Sequence, residues 1–422
     1  MSITVMYDIA QLGYGHVYSY YRTGIHRVTE QVALGLRGNP EVNLILCASE
    51  AGNLAADYIR SSPAFRGMPL HYDHIGAFLT SVSHDLTREI ERASMGRLPL
   101  RLVRRLFFET LKVWRRGVPE VKCIDGLDLY HSQYYPIPRS FLSNNRVRRV
   151  LTVHDIIPIR FPNFVLAGGD FIPRKAISTL MADDWVICDS ECTRNDLLNF
   201  RRDLNPDRVR VVYLATMDSF RPAEDNRAIE HVRRRYGIPD GPYILSLSTI
   251  EIRKNIDAVI RVYGRLASAG KLHGVSLVLA GPKGWKDGAI FDAISKFPEL
   301  SGKIVMTGFV DDADLPVLYS GAMLFAFPSL YEGFGLPVLE AMKCGTPVVC
   351  SNTSSLPEIT GNACFLIDPQ NEEELEWAFL RLFESGELRT EMARRGVAQA
   401  QQFGWNETAM HTVSVYKEAL ST

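Results

Sequence analysis

The C-terminal half of the chain alternates short apolar runs with amphipathic stretches of helical length. The apolar runs are rich in valine, isoleucine and phenylalanine, and they include YILSLST, VSLVLAG, KIVMTGFV and MLFAFPS. Amphipathic stretches such as DAVIRVYGRLASA lie between them, and glycine or proline stands at several junctions, as at Gly281 and Gly345. Strands that alternate with helices form βαβ units, and such units build a parallel sheet covered on both faces. We therefore predict an α/β domain in this half.

The N-terminal half shows a less regular form of the same alternation. Strand ITVMYDI precedes a helical stretch near GIHRVTEQVALGL, and later strands are predicted at VLTVHDI, WVICDS and VRVVYLA. The segment from Met217 to Pro242 is polar, charged and interrupted by prolines, as domain linkers often are. We therefore predict one Rossmann-like domain over residues 1–220 and a second over residues 221–404. Periodicity leaves open whether the last helix, 405–422, packs back on the first domain.

Length and composition favour two cytosolic domains. A chain of 422 residues is too long for one ordinary core. Its 47 basic and 48 acidic side chains nearly cancel, so we expect no nucleic-acid partner. Seven cysteines form no C-x-x-C pair, which is typical of reduced thiols in the cytosol. The N-terminus lacks the features of a signal peptide, and no apolar run reaches about 20 residues, so we expect a cytoplasmic protein.

One segment, 97–116, combines leucine, phenylalanine and tryptophan with many cations (RLPLRLVRRLFFETLKVWRR). A basic amphipathic helix of this kind can lie on an anionic membrane surface, which would hold the protein at the inner face of the cell membrane. The alternative is a surface helix whose apolar stripe packs on its own domain. Pro99 and two adjacent phenylalanines interrupt the stripe, so the pattern leaves both interpretations open.

Two Rossmann-like halves raise the question of a nucleotide cofactor. Gly13 and Gly15 follow the first strand, but Tyr18 stands where G-x-G-x-x-G requires its third glycine. The chain has no G-x-x-x-x-G-K-[ST], and the segment 281–284 (GPKG) matches a phosphate loop only in composition. Turns at strand ends account for these glycines equally well. We therefore predict neither a bound cofactor nor P-loop chemistry.

The segment SLYEGFGLPVLEAMKCGTPVV, residues 329–349, contains two glutamates with seven residues between them. Pro337 is suited to the first turn of a helix, because its φ is already helical and it has no amide proton to lose. Gly345 is suited to the end of that helix. This interpretation places Glu340 in the first turn and Glu332 in the loop that leads into the helix.

Two glycines in that loop, Gly333 and Gly335, allow backbone amides to approach a ligand closely. The helix N-terminus adds N–H groups and a partial positive charge, which suit a phosphate. The two carboxylates cannot bind that phosphate, but they can accept hydrogen bonds from sugar hydroxyls beside it. A role limited to capping and solubilising the helix leaves both glycines unexplained, so we predict a site for a sugar phosphate.

A second segment, TIEIRKN, follows directly after the strand YILSLS and contains Arg253 and Lys254. α/β folds bind their ligands at this edge, where a parallel strand ends and a helix begins. Two adjacent cations there can neutralise a pyrophosphate and stabilise it as a leaving group. An Arg-Lys pair is usually solvated, but the glutamate loop elsewhere in the same sheet favours a binding role.

Together, the RKN segment, TGFVDDADL and the E-x7-E block resemble the retaining glycosyltransferases of family four. The resemblance is dense from about Tyr243 to Pro369 and looser in the N-terminal half, where RTGIHRV, LTVHDIIP and VICDSECTRNDL carry it. It implies the GT-B fold, in which two Rossmann-like domains face each other across a cleft. The segments TGIHRV, VHDIIP and AGPKGW are similar to those of bacterial mannosyltransferases of surface-polysaccharide assembly.

The resemblance also implies residue roles. Arg253 and Lys254 would hold the donor pyrophosphate, and Glu340 would bind the ribose hydroxyls. His154 matches a histidine near the reacting sugar carbon, with Asp155 as the residue that would orient it. Glu332, with the backbone amides that follow it, would hold the donor sugar. Gly24 would let the first domain approach the phosphates. The donor-binding loop of the implied site comprises Glu332, Gly333, Phe334, Gly335 and Leu336.

The implied reaction transfers a sugar, with mannose from GDP-mannose as the first expectation, to a glycan or lipid-linked acceptor with retention of configuration. No segment resembles the D-x-D metal site of other glycosyltransferases, so we expect that no metal is required. Two alternatives remain open at this point. One is a sugar-nucleotide epimerase of the same architecture, and the other is an inactive protein that binds nucleotide or glycan.

Overall fold

The computed structural model describes residues 2–18, 24–73, 121–165, 168–282, 284 and 288–422. The basic segment 97–116 and Lys283 lie outside the described residues. The described chain forms two parallel β-sheets flanked by helices. This architecture confirms the predicted α/β class with two Rossmann-like domains.

The first half contains seven described strands, all paired in parallel. They are β1 (Ile3–Asp8), β2 (Val42–Cys47), β3 (Leu70–His71), β4 (Leu129–Ser132), β5 (Arg148–Val153), β6 (Trp185–Cys188) and β7 (Val209–Val211). Their order in the sheet is β3-β2-β1-β4-β5-β6-β7. The described helices are α1 (Ala10–Val17), α2 (Gly24–Gly38), α3 (Gly52–Ser61), α4 (Arg139–Leu142), α5 (Ile157–Arg160), α6 (Phe171–Ser178) and α7 (Glu191–Phe200).

The second half contains six described strands, also all parallel. They are β8 (Tyr243–Leu247), β9 (Ser276–Ala280), β10 (Ile304–Gly308), β11 (Leu324–Phe327), β12 (Val348–Ser351) and β13 (Phe365–Ile367), in the order β10-β9-β8-β11-β12-β13. Its described helices are α8 (Asn226–Arg235), α9 (Ile256–Ser268), α10 (Gly288–Ser295), α11 (Leu315–Ser320), α12 (Leu336–Lys343), α13 (Leu356–Thr360), α14 (Glu372–Glu384) and α15 (Gly386–Ala400). The chain ends with α16 (Trp405–Ser421).

The strands read as continuous apolar runs because both faces of each sheet are covered. In β1, Val5 and Tyr7 belong to one hydrophobic core, while Met6 between them belongs to another. Side chains alternate across a strand, so a strand between two helical layers buries every residue. This double burial explains why the pattern of the C-terminal half predicted its strands so clearly.

The strand order creates one crevice in each half. In the second sheet, the chain leaves β8 towards β9 and β10 and then returns to β11 on the other side of β8. The first sheet changes direction in the same way between β1 and β4. In open α/β sheets, ligands bind at such a switch point, outside the carboxyl ends of the strands. The loops after β8 and β11 are therefore the expected binding loops.

The last helix, α16, packs on the first half. Ala409 of α16 lies so close to Gly35 of α2 that a Cβ added there would come within 2.5 Å of the alanine Cβ. Tyr416 bonds the buried His131 of β4 with 2.6 Å between the phenol oxygen and Nδ1. Lys417 Nζ is also 2.7 Å from a carboxylate oxygen of Glu41. The chain therefore crosses between the halves twice.

The first glycine pair does not form a turn at the strand end. Gly13 and Gly15 lie inside α1, whose first residue is Ala10. A Cβ on Gly13 would come within 2.5 Å of the backbone nitrogen of Ala55, so this glycine allows α1 to pack closely on α3. The turn interpretation was therefore wrong for this pair.

No helix in the described ranges is long and apolar enough to cross a bilayer. Across the same residues, no group of three or more His, Cys, Asp or Glu side chains is arranged to hold a metal ion.

Candidate active site

The loop of residues 328–335, between β11 and α12, is the glycine loop of the second half. Gly335 is the N-cap of α12 with φ of 113°, a left-handed conformation that strongly favours glycine. Gly345, with φ of 72°, follows the end of the helix. The backbone amides of residues 333–336 donate no hydrogen bond within the described chain. These unpaired N–H groups at a helix N-terminus can bind an anion or a sugar hydroxyl.

Glu332 is buried in this loop, where it accepts hydrogen bonds from two side chains and forms an ion pair with a third. Lys254 Nζ lies 2.6 Å from Oε1, and Arg253 Nη1 lies 2.8 Å from Oε2. Ser329 donates its hydroxyl to Oε1 at 2.6 Å. The two cations follow β8 in a short 3-10 helix, so they meet the glycine loop at the switch point between β8 and β11.

The electrostatics of this cluster follow from burial and charge. Burial alone would raise the pKa of Glu332, but Arg253 and Lys254 outweigh it and lower the pKa to about 2. Burial, and next the charge of Arg253, lower the pKa of Lys254. Glu251 also pairs with Arg253, so two carboxylates balance the two buried cations. The two cations and the unpaired amides of the glycine loop are the groups here that can bind an anion such as a diphosphate.

Glu340 is the fifth residue of α12, in its second turn, so the prediction that it lies in the first turn was wrong. It is buried, and its Oε1 accepts a very short hydrogen bond from Arg27, on α2 of the other half. Tyr319 of α11 donates its hydroxyl to Oε2 at 3.1 Å. Burial raises the pKa of Glu340, although Arg27 and the Tyr319 hydrogen bond act in the opposite direction.

His154 follows the end of β5 and faces the second half. Its Nδ1 lies 2.7 Å from Oδ2 of Asp189, whereas Asp155 accepts a hydrogen bond from the amide of Ile157 at 2.9 Å. Asp189, not Asp155, therefore orients the ring. Burial alone would lower the pKa of His154, but Asp189 outweighs it and raises the pKa. Nε2 is buried and has no hydrogen-bond partner among the described residues. An unpaired ring nitrogen of this kind can bond a ligand that reaches it.

The two halves meet at the glycine loop. A Cβ on Gly333 would come within 2.6 Å of the carbonyl oxygen of His154, so only glycine allows this approach. Ser190 and Thr193, at the start of α7, donate their hydroxyls to the Gly333 carbonyl at 2.7 and 3.2 Å. The loop that carries Glu332 is thus docked beside His154.

Gly24 begins α2, and a Cβ added to it would lie 3.3 Å from Cδ1 of Leu336, the first residue of α12. The structure therefore brings the N-termini of α2 and α12 together across the cleft.

Phe334 contributes differently from its neighbours in the glycine loop. Its ring is buried near Tyr213 and Phe403. Its side chain thus packs in the interface, and only its backbone faces the loop.

The sequence analysis missed several residues that join the halves. Glu358, in the PEI of SNTSSLPEI, accepts hydrogen bonds from the amides of Glu191 and Cys192, at 2.9 and 3.1 Å. It therefore caps α7 of the other half. Arg27 and Asp189 were also overlooked, although they belong to the RTGIHRV and VICDSECTRNDL segments that carried the resemblance. The sequence signal that could have identified these residues was a charged side chain next to a motif at the end of a strand or helix.

Comparison with known proteins agrees with this geometry. Residues 228–399 match the family described as glycosyl transferases group 1. O-antigen chain mannosyltransferase B of Escherichia coli is 32% identical over 289 residues, which are 68% of this chain and 75% of that protein. Serotype-specific mannosyltransferase WbdA of Escherichia coli is 30% identical over 284 residues, which are 65% of this chain but only 34% of that protein. HepE of Anabaena, crystallised with UDP, has a TM-score of 0.66 at 15% identity and covers 99% of this chain and 100% of its own.

Two parallel-sheet domains that enclose a cleft, with loops at the switch point of the second sheet, define the GT-B fold. The match over residues 228–399 and the 32% identity to the mannosyltransferase give the family. The chain belongs to the glycosyl transferases group 1.

Proposed function

We propose that this glycosyltransferase moves mannose from GDP-mannose to a hydroxyl of a glycan or lipid-linked acceptor in surface-polysaccharide synthesis, with retention of configuration. The observation that carries the proposal is the cluster of Glu332, Arg253 and Lys254 beside unpaired backbone amides, opposite the available Nε2 of His154. The mannosyl part rests on two relatives, an O-antigen chain mannosyltransferase and a serotype-specific mannosyltransferase.

In this proposal, Arg253 and Lys254 bind the donor diphosphate and stabilise the charge that develops on it as it leaves. Glu332 has a pKa of about 2, so it is ionised at neutral pH and serves as a hydrogen-bond acceptor, not as an acid. It accepts hydrogen bonds from donor-sugar hydroxyls, and these bonds strengthen as positive charge develops at the anomeric carbon. Glu340 accepts hydrogen bonds from the ribose.

The acceptor hydroxyl attacks the anomeric carbon on the same face from which the leaving group departs. The carbon–oxygen bond to the diphosphate breaks, the new glycosidic bond forms, and the acceptor proton passes to the leaving phosphate oxygen. In this proposal His154 lies beside this carbon, and its Nε2, which has no partner among the described residues, bonds a sugar hydroxyl there. Closure of the two halves excludes water, which would otherwise hydrolyse the donor.

A donor panel tests the proposal. The purified protein is assayed with GDP-mannose, UDP-glucose and dTDP-sugars, and thermal shifts with GDP, UDP and dTDP report binding, because a ligand of the folded state stabilises it by mass action. We expect a new glycosidic product and the largest shift with the guanine series, and we expect both to persist in excess EDTA. Turnover with UDP- or dTDP-sugars alone would contradict the donor assignment. Activity lost in EDTA and restored by magnesium or manganese would contradict metal independence.

The same assay separates the other candidate functions. An altered free nucleotide sugar without a glycosidic product would indicate an epimerase. Nucleotide binding without any chemistry on a range of acceptors would indicate an inactive binding protein. The match to glycosyl transferases group 1 and the identity to a mannosyltransferase favour transfer over both.

We also propose that the segment 97–116 contacts the membrane if the acceptor is lipid-linked. Four cations of this segment would be replaced together by glutamine: Arg104, Arg105, Arg115 and Arg116. Sedimentation with anionic liposomes should fall in this variant and stay unchanged with neutral liposomes. Equal sedimentation of variant and wild type would favour packing of the segment on its own domain.

A further inference from the structure

Arg27 occupies a position that the proposed reaction does not yet use. It lies on α2 of the first half, one turn after Gly24, and its guanidinium pairs with Glu340 of the second half. Nη2 is also 3.6 Å from a carboxylate oxygen of Asp312, and the guanidinium lies 5.9 Å from the ring centre of Phe220. One arginine therefore links α2 to α12 and to the loop before α11.

The partner of Arg27 is a buried carboxylate, and burial favours the protonated form of such a group. Protonation would matter for binding. A carboxylate only accepts hydrogen bonds, whereas a carboxylic acid must place one proton and loses acceptor capacity. An adjacent cation is the simplest means of keeping the buried group ionised. Arg27 supplies that cation from the other half of the molecule.

The remaining hydrogen-bonding capacity of Glu340 fits a ribose. Arg27 occupies one acceptor position on Oε1, and Tyr319 occupies one on Oε2. Each carboxylate oxygen has two lone pairs, so one acceptor position on each oxygen remains. The 2′- and 3′-hydroxyls of a ribose are two neighbouring donors, which match these two positions.

We propose that Arg27 is a positioning residue that makes Glu340 a ribose acceptor only when the two halves are closed. The inference rests on the proposed role of Glu340 in binding the nucleotide. In an open molecule, α2 moves away from α12, Glu340 loses its cation, and the acceptor capacity for the ribose falls. Nucleotide binding and closure then support each other, because the state that binds ribose well is the state in which Arg27 reaches across.

The charged and titratable groups around Glu340 come from each element packed against it. They are Arg27 from α2, Asp312 from the loop before α11, Tyr319 from α11 and Cys344 from the end of α12 itself. Arg27 is the one cation among these four. Its removal should therefore let the pKa of Glu340 rise further, and donor binding should become sensitive to acid at a higher pH.

The test compares R27A and R27K with wild type, using the donor identified by the panel. The donor KM, kcat and the pH profile of kcat/KM are measured, alone and in an E340Q background. We expect R27A to raise the donor KM about tenfold at neutral pH, with a smaller change in kcat, and to move the acid limb of kcat/KM to higher pH. R27K should keep the acid limb near its wild-type position, since it keeps the charge.

R37A, at the exposed end of the same helix, is the matched control and should behave as wild type. In the E340Q background, R27A should change the KM less than twofold, because the group it acts through is gone. The inference would be contradicted if R27A raised the KM equally with and without Glu340, or if it left the acid limb in place. Arg27 would then be only an interface contact. If calorimetry showed that the wild-type protein does not bind a nucleoside diphosphate, that result would instead contradict the proposed function itself.

Discussion

The two glutamates of the E-x7-E block are both buried, yet they obtain their counter-charges from different sources. Glu332 is paired with Arg253 and Lys254, which belong to its own half. Glu340 is paired with Arg27, which belongs to the other half. The first cluster can form within the second half alone, whereas the second requires the halves to be together. In the proposed mechanism, the sugar end of the site would therefore be formed before closure, and the ribose end would be completed by closure.

The pKa directions express the same contrast. The pKa of Glu332 is lowered from 4.5 to about 2, so its stabilising contribution is present above pH 4.5 and is lost as the pH falls through about 2. The pKa of Glu340 is raised, so its contribution is present below 4.5 and is lost as the pH rises through the folded-state pKa. At neutral pH, the first carboxylate stabilises the fold, whereas burial opposes the ionisation of the second. A costly buried charge is commonly a functional one.

The largest effect is expected from the cations of the first cluster. K254A and R253A each remove a charge-assisted contact to the donor diphosphate worth about 2–3 kcal/mol, so donor kcat/KM should fall roughly 30- to 150-fold. K271A, which removes an exposed lysine of the same half, is the control and should retain wild-type turnover. Circular dichroism and the thermal midpoint would establish that each variant is folded. Near wild-type turnover in either variant would remove that residue from the site.

A second pair of variants tests the division between the glutamates directly. E332Q should lower kcat more than it raises the donor KM, because its contacts tighten as charge develops on the sugar. E340Q should raise the donor KM more than it lowers kcat, because ribose contacts are made equally in the bound donor and the transition state. Steady-state kinetics with saturating acceptor would measure both. Equal effects on both parameters in both variants would contradict the division, though not the family.

The acid side of the pH profile gives a third comparison. The pKa of Glu332 is lowered to about 2, whereas burial raises the pKa of Glu340, so we expect Glu340 and not Glu332 to contribute to the acid limb. The acid limb of kcat/KM for the donor should therefore persist in E332Q and weaken in E340Q. An acid limb unchanged in E340Q would assign it to another group, of which His154 is the first candidate.

The sequence predicted the fold and the proximity of the first cluster for one physical reason. Parallel strands are buried on both faces and end at a common edge, so strand-end motifs such as RKN and the glycine loop must meet there. The structure places Lys254 Nζ 2.6 Å from Glu332, as this reasoning requires. The roles of these residues stay predictions.

The second cluster was not predictable in the same way. Arg27 and Glu340 are 313 positions apart, and their contact depends on how two domains pack, which no local pattern encodes. Naming Asp155 as the residue that orients His154 was wrong for a different reason, which lies within the first half. Asp155 is adjacent in sequence, but Asp189 follows the neighbouring strand β6 and is adjacent in space. The predicted position of Glu340 was wrong because Gly335, and not a residue after it, is the N-cap of α12, which places Glu340 just beyond the first turn.

The smallest expected effect concerns the docking of the glycine loop. Ser190 donates to the Gly333 carbonyl at 2.7 Å, and Thr193 donates to the same oxygen at 3.2 Å, so S190A leaves one of two hydrogen bonds. A loss of about 1 kcal/mol should slow transfer roughly fivefold, because His154 meets the donor only in the docked state. Ser190 also caps α7, so S385A, which removes a similar cap from α15 away from the cleft, is the matched control.

If the first cluster is complete without closure, nucleoside diphosphate affinity measured by calorimetry should stay within about twofold in S190A while kcat falls. A weakened diphosphate affinity in S190A, absent in S385A, would show that the sugar end also depends on closure, and the contrast between the two glutamates would then be one of degree.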